Sequence, residues 1–205
     1  MSFDKGSSVS YTYDKNGNVL SETSNGNVTE YQYNNAGLMS QQTGNGGTYD
    51  MAYSLDGNKI SETGMGFVKS YVYNDIGQLV SEETGNNVND NSSTISYTYD
   101  SRGNRLSKNE NGVTEQYTYD RVNRLTGISG GKNVSYTYDN NGNMLTKEQS
   151  SIENGVATVD VFMYTYDIFN RLTGVASGDT TASYLYNAED RRIAKTVNGN
   201  WYLYT

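Results

Sequence analysis

The chain predicts an all-β fold: tandem antiparallel β-hairpin repeats, about nine of them and near 20 residues each, forming a curved or spiralling sheet, an open shell or a barrel-like wall. Three observations carry that prediction. A tyrosine doublet, Tyr-x-Tyr, recurs at near-constant spacing; a Gly, Asn or Asp follows each doublet at a fixed distance; and Asn-Gly or Gly-Gly dipeptides fall between the doublets.

The doublets are Tyr11/Tyr13, Tyr31/Tyr33, Tyr71/Tyr73, Tyr97/Tyr99, Tyr117/Tyr119, Tyr136/Tyr138, Tyr164/Tyr166, Tyr184/Tyr186 and Tyr202/Tyr204, with a degenerate copy at Met51/Tyr53. Nineteen of the 20 tyrosines sit in this frame, so the chain reads as one repeat array over 1–205, with units starting near 11, 31, 51, 71, 97, 117, 136, 164 and 184 and a partial unit from 202. Two residues of one type spaced by two lie on the same face of a strand, and Thr12, Thr98, Thr118, Thr137 and Thr165 take the other face.

Each doublet is followed by Asp14, Asn34, Ser54, Asn74, Asp100, Asp120, Asp139, Asp167 or Asn187, side chains that cap their own turn. Three residues on stand Gly17, Gly37, Gly57, Gly77, Gly103, Asn123, Gly142, Asn170 and Asp190, the residue types that accept positive φ most readily. An apolar residue comes two places later (Met39, Leu79, Leu125, Leu172) or three (Leu20, Ile60, Leu106, Leu145, Ile193), and a bulge at the turn is expected to absorb the difference. The return strand then reaches a second turn at Asn25-Gly26, Gly46-Gly47, Asn111-Gly112, Gly130-Gly131, Asn154-Gly155 or Asn198-Gly199, mostly I′ hairpin dipeptides. Where doublets lie further apart, this turn is expected to be extended, over 84–93 and 150–159. Nine hairpins make roughly 18 strands, and a twisted open sheet beyond about 10 strands curls or splits.

Composition narrows the function. Cys and His are absent, which removes disulfides, thiol nucleophiles, His bases and the usual zinc sites; no catalytic residue, cofactor or metal ligand is assigned. Leu, Ile, Val and Phe total only 36 of 205 residues, so tyrosine must supply the apolar burial. A net charge of −8 with scattered Lys and Arg opposes nucleic acid as a partner. No stretch is apolar enough for a membrane-spanning helix or a signal peptide, and Ser, Thr, Asn and Glu interrupt the outward bands that a membrane barrel needs, so membrane insertion is not expected. Either the protein is intracellular or the chain is a piece of a longer secreted one, and Trp201-Tyr-Leu-Tyr-Thr205, breaking off inside a strand pattern, favours the second.

The unit Tyr-x-Tyr-Asp-x-x-Gly-Asn-x-Leu, clearest at 136–145 and 97–106, resembles the YD repeats of the rearrangement-hotspot (Rhs) family, and the likeness runs from Val9 to Thr205. The resemblance implies a hairpin ribbon spiralling into a hollow shell, which in insecticidal toxin complexes, wall-associated proteins and teneurins encloses a toxin or forms an extracellular scaffold. Its implied partners are the rest of a larger chain or an enclosed toxin domain, and its implied location is secreted or at the cell surface. The chain has no Pro, hence no proline-bearing core motif, and no non-repetitive C-terminal domain, so only the wall carries over.

Two other readings compete locally. The Asp14 and Asp139 loops look like calcium loops, but Gly stands fourth rather than sixth and turn capping accounts for the residues. Trp201, Tyr202 and Tyr204 resemble aromatic glycan-binding repeats, which makes a carbohydrate-binding surface module the second functional reading. Strand edges near 9–14 and 201–205 carry neither Pro nor a Lys cluster, and self-association through them is expected unless the two edges meet and close a barrel.

Overall fold

Period-two patterning dictates the elements: in the strand that carries Tyr97 and Tyr99, half-buried and exposed residues alternate without a break. The computed structural model describes residues 8–86, 92–153 and 155–204, and among these there is no helix. The chain divides into two compact units, 1–97 and 98–205.

The first unit holds β1 (Val9–Tyr13), β2 (Val19–Ser24), β3 (Asn27–Tyr33), β4 (Met39–Gly44), β5 (Gly47–Tyr53), β6 (Lys59–Gly64), β7 (Phe67–Tyr73), β8 (Leu79–Asn86) and most of β9 (Ser93–Tyr99). Each pairs antiparallel with the next in sequence. The second unit repeats that meander through β10 (Arg105–Glu110), β11 (Val113–Tyr119), β12 (Leu125–Ser129), β13 (Asn133–Tyr138), β14 (Met144–Glu153), β15 (Val156–Tyr166), β16 (Leu172–Ser177), β17 (Thr180–Tyr186), β18 (Arg192–Val197) and β19 (Asn200–Leu203). The architecture is all-β, a tandem series of antiparallel hairpins.

All nine first turns have a positive φ at the expected place, from 61° at Asn170 and Asp190 to 91° at Gly142. Second turns are more varied than the dipeptides implied. Asn25-Gly26, Asn111-Gly112 and Asn198-Gly199 have positive φ at both residues, as I′ turns require. Around Gly46 the turn residues are Asn45 and Gly46, and the positive φ falls on Gly47 alone, already in the strand. Two hairpins escaped the sequence reading: Met65-Gly66, with Met65 at φ 29°, and Gly178-Asp179, where only Gly178 is positive.

The widest doublet spacing is a correction. The extra residues at 150–159 lengthen β14 and β15, which pair as far as Glu153 with Val156, so the turn stays short while the strands grow. Asn154 itself lies outside the described residues, as does 87–91 of the other long connection.

The bulge is also more regular than expected. Tyr13 pairs with Val19 while Thr12 pairs with Ser21, leaving Leu20 as the extra residue. The same step occurs before the second tyrosine of seven further hairpins. It is present whether the apolar residue falls two or three places after the turn, so the bulge does not compensate a variable spacing; it belongs to every one of these units. Apolar residues at the extra position, such as Leu20, Ile60 and Ile193, are accordingly exposed.

Burial differs between the units. Tyr117, Ile128, Val134 and Ala194 are the buried apolar residues among those described, and all four lie in the second unit. Tyr117 opposes Ile128 and Ile128 opposes Val134, so the first three form a column across β11, β12 and β13, flanked by Tyr119, Leu125 and Tyr136. Cross-strand packing of this kind is the unit of sheet stability. On the opposite face hydroxyl pairs run across the hairpins, among them Thr12 with Ser21 at 2.7 Å and Thr137 with Thr146 at 2.7 Å.

Candidate functional site

The two tyrosines of a doublet do different work. The second donates its hydroxyl to the bulge carbonyl of the preceding repeat: Tyr33 to Val19 (2.9 Å), Tyr53 to Met39 (2.8 Å), Tyr73 to Lys59 (3.0 Å), Tyr119 to Arg105 (2.9 Å), Tyr138 to Leu125 (2.8 Å) and Tyr186 to Leu172 (2.9 Å). A bulge leaves ladder groups unpaired, and here the next repeat satisfies one of them. Each hydroxyl is worth about 1 kcal/mol, summed along the array. The first tyrosine packs on its neighbours across the sheet, with burial greatest at Tyr117. Its hydroxyl, pushed up to about 12 by burial and by donation to Glu115 at 2.5 Å, stays protonated. Burial likewise raises the pKa of Tyr31, Tyr71, Tyr138 and Tyr166.

Each first turn is closed by its capping residue. Asp14 Oδ1 accepts the amides of Asn16 and Asn18, and Oδ2 accepts the Asn18 side-chain amide, all at 2.8 Å. Asp100 and Asp139 repeat this with Asn104 and Asn143, while Asp120 and Asp167 receive Arg124 and Arg171 Nε at 2.6 and 2.7 Å. The carboxyl of Asp14 is held below the usual range by the Asn18 side chain, Asp100 by Asn104, Asp120 by the Arg124 amide and Asp139 by Asn143; at Asp167 the Arg171 bonds outweigh the opposing burial. Among the described residues no group of three or more acidic side chains is placed to hold a metal ion. The partner four residues after the cap was not singled out in the sequence, although Asp-x-x-x-Asn and Asp-x-x-x-Arg recur there.

The positive-φ residue has a second role. Where it is not Gly, its side chain accepts a bond from the turn before: Asn104 to Asn123 Oδ1 (2.9 Å), Asn143 to Asn170 Oδ1 (2.8 Å) and Arg171 to Asp190 Oδ1 (2.7 Å). Where it is Gly142, Arg124 Nη1 bridges instead to the Asp139 carbonyl at 2.9 Å. Gly17, Gly37, Gly77 and Gly103 offer no such acceptor. Arginines also lie over tyrosine rings, Arg105 over Tyr117 at 4.4 Å and Arg192 over Tyr184 at 5.2 Å.

The doublets Tyr97/Tyr99, Tyr164/Tyr166 and Tyr71/Tyr73 occupy the same strand positions as the rest, and Tyr11 and Tyr13 stand exposed on β1. Trp201, Tyr202 and Tyr204 do not share a face. Tyr202 opposes Lys195, which sits 5.0 Å over its ring, whereas Trp201 opposes Thr196 on the other side and is 62% exposed.

Residues 13–49 match the family model of the RHS repeat. No curated protein matches the chain. Among solved structures, a mutant of the Photorhabdus luminescens Tc holotoxin pore is similar at 18% identity with a TM-score of 0.60, over 91% of this chain and 13% of that one. The crystal structure of TcdB2-TccC3-TEV is similar at 17% identity with a TM-score of 0.61, over 92% of this chain and 13% of that one. The chain thus spans about an eighth of the structures it matches, and the likeness is one of fold.

Proposed function

We propose that this chain is a stretch of structural wall from a larger Rhs-type protein that is secreted or displayed at the cell surface, and that the wall encloses or presents another domain. It works without catalysis. The observation that supports this best is the tyrosine lock: six copies of one inter-repeat bond serve extension of an array rather than any single site. The repeat match and the fold likeness to Tc toxin chains point the same way. On this reading 1–205 is one array, the outer edges of β1 and β19 are its self-association surfaces, and the enclosed domain is its partner. The exposed Trp201 favours one second reading, a carbohydrate-binding module.

A glycan-array screen beside light-scattering mass measurement separates them. The wall predicts no retained glycan and a mass that rises with concentration as edges pair. Saturable retention of one glycan class, lost in Trp201→Ala, would overturn it in favour of the second reading.

A further inference from the structure

In the second unit, arginine fills the gap between successive first turns. Arg124 holds the Asp120 carboxylate through Nε at 2.6 Å, donates Nη1 to the Asp139 carbonyl at 2.9 Å, and lies 4.8 Å over the Tyr138 ring. Arg171 does the same with Asp167, the Asn187 carbonyl at 3.2 Å and the Tyr186 ring at 5.0 Å. That is a complete guanidinium socket, built twice by the repeat itself.

By repeat position, the counterparts of Asp120, Arg124, Tyr138 and Asp139 in the first unit are Ser54, Asn58, Tyr73 and Asn74. Asn58 brings no guanidinium to the Asn74 carbonyl, and a cleft of about 690 Å³ opens there, lined by these four residues and by Asp56 and Asp75 among others. The Asn74 carbonyl accepts the Gly77 amide at 2.9 Å, as the Asp139 carbonyl accepts Gly142 at 3.2 Å, and Asp139 still takes Arg124 on its second lone pair. The acceptor is therefore in place, and Tyr73 lines the cleft beside it. Among the described residues Asp56 and Asp75 make no ion pair, and Lys59, whose ammonium lies 5.3 Å over the ring of Tyr71 in the cleft wall, is engaged by Glu62 at 2.5 Å. The unit as a whole has four lysines and no arginine against eleven acidic residues, so its field attracts cations.

We infer that this cleft between the third and fourth first turns is a docking site for an arginine side chain carried by a basic segment of a partner protein. The guanidinium lies over Tyr73, donates to the Asn74 carbonyl, and is paired by Asp56 and Asp75. Arginine is required over lysine because a planar fork donates in two directions while it stacks, and an ammonium does not.

The test is titration of acetyl-Gly-Arg-Gly-amide into the chain at low salt, followed by amide NMR shifts. Saturable shifts at Tyr73, Asn74 and Gly77 are expected, weakened severalfold by Asp75→Asn. They should vanish in Asn58→Arg, whose own guanidinium fills the cleft as Arg124 does. The proposal is overturned by the absence of saturable shifts, by equal affinity for the lysine tripeptide, or by unchanged binding in a folded Asn58→Arg protein.

Discussion

The two units are built from one repeat and are held together differently. The first has only glycine at the positive-φ place of its first turns (Gly17, Gly37, Gly57 and Gly77) and, among the described residues, no side-chain bond from one first turn to the next. The second has Asn123, Asn170 and Asp190 there, and its turns are joined by Asn104, Arg124, Asn143 and Arg171. Charge follows the same division: eleven Lys and Arg meet twelve acidic residues in the second unit, against four and eleven in the first. The difference teaches that the bulge and the tyrosine lock define the fold, since both units keep them, whereas turn-to-turn bonding and a buried column are additions. A repeat array sums nearest-neighbour terms, so those additions should make the second unit the harder to open.

The largest effect should come from the buried column. Tyr117→Ala removes a tyrosine that is 6% exposed together with its bond to Glu115, and is expected to cost about 3–5 kcal/mol. Tyr71→Ala, at the same position but half-buried, should cost roughly 1–2 kcal/mol. Denaturant melts of the two variants test the contrast, and equal losses would erase the proposed asymmetry in packing.

Next come the turns. Gly142→Val places a β-branched residue at φ 91° and should cost about 1–3 kcal/mol. The counterpart Gly57→Val, at φ 83°, should cost the same, because this requirement is common to both units. A melting curve like the parent's for either would sink the backbone explanation.

Asn170→Gly sharpens the point in the opposite direction. Glycine relaxes the backbone at φ 61°, yet the change removes the acceptor shared by Asn141 and Asn143. A net loss of about 1 kcal/mol is expected, since orphaned donors outweigh the relief. A gain in stability would show that Asn is tolerated at this place without being used.

That last case marks what the residues alone disclose. Strand order, hairpin pairing and the nine left-handed positions follow from Tyr-x-Tyr and Gly/Asn/Asp because backbone geometry restricts residue type locally. The tyrosine lock did not, since its acceptor is a main-chain carbonyl 13 or 14 residues earlier that has no sequence signature. Nor did the link from Asn143 to Asn170, for Asn was already accounted for by its φ. Arg124 and Arg171 directly follow the positive-φ Asn123 and Asn170, but only the stacking of one turn on the next shows what they span. The doublet spacing was misjudged at 150–159 because a longer strand pair and a longer loop consume residues equally.

Acid provides the smallest effect per site and the finest comparison. The second unit closes four of its five first turns with Asp100, Asp120, Asp139 and Asp167, all with carboxyls held below their ordinary range, and the fifth with Asn187; the first unit has Asp14, then Asn34, Ser54 and Asn74. A folded-state pKa that is depressed contributes stability present above the unfolded carboxylate value, near 3.9, and lost as pH falls through the folded value. Arg124 and Arg171 keep their charge throughout, so they cannot compensate once the carboxylates are neutral. Amide exchange followed from roughly pH 4 to pH 2 should therefore show the amides of Asn104, Arg124, Asn143 and Arg171 losing protection. The amides of Leu38 and Gln78, which rest on the neutral Asn34 and Asn74, should hold theirs. Asp120→Asn supplies the internal control: it should make the Arg124 amide as indifferent to acid as Gln78. Uniform loss across both units, or an Arg124 amide that still responds in that variant, would mean that acid acts on the ladder as a whole and not through the turn carboxylates.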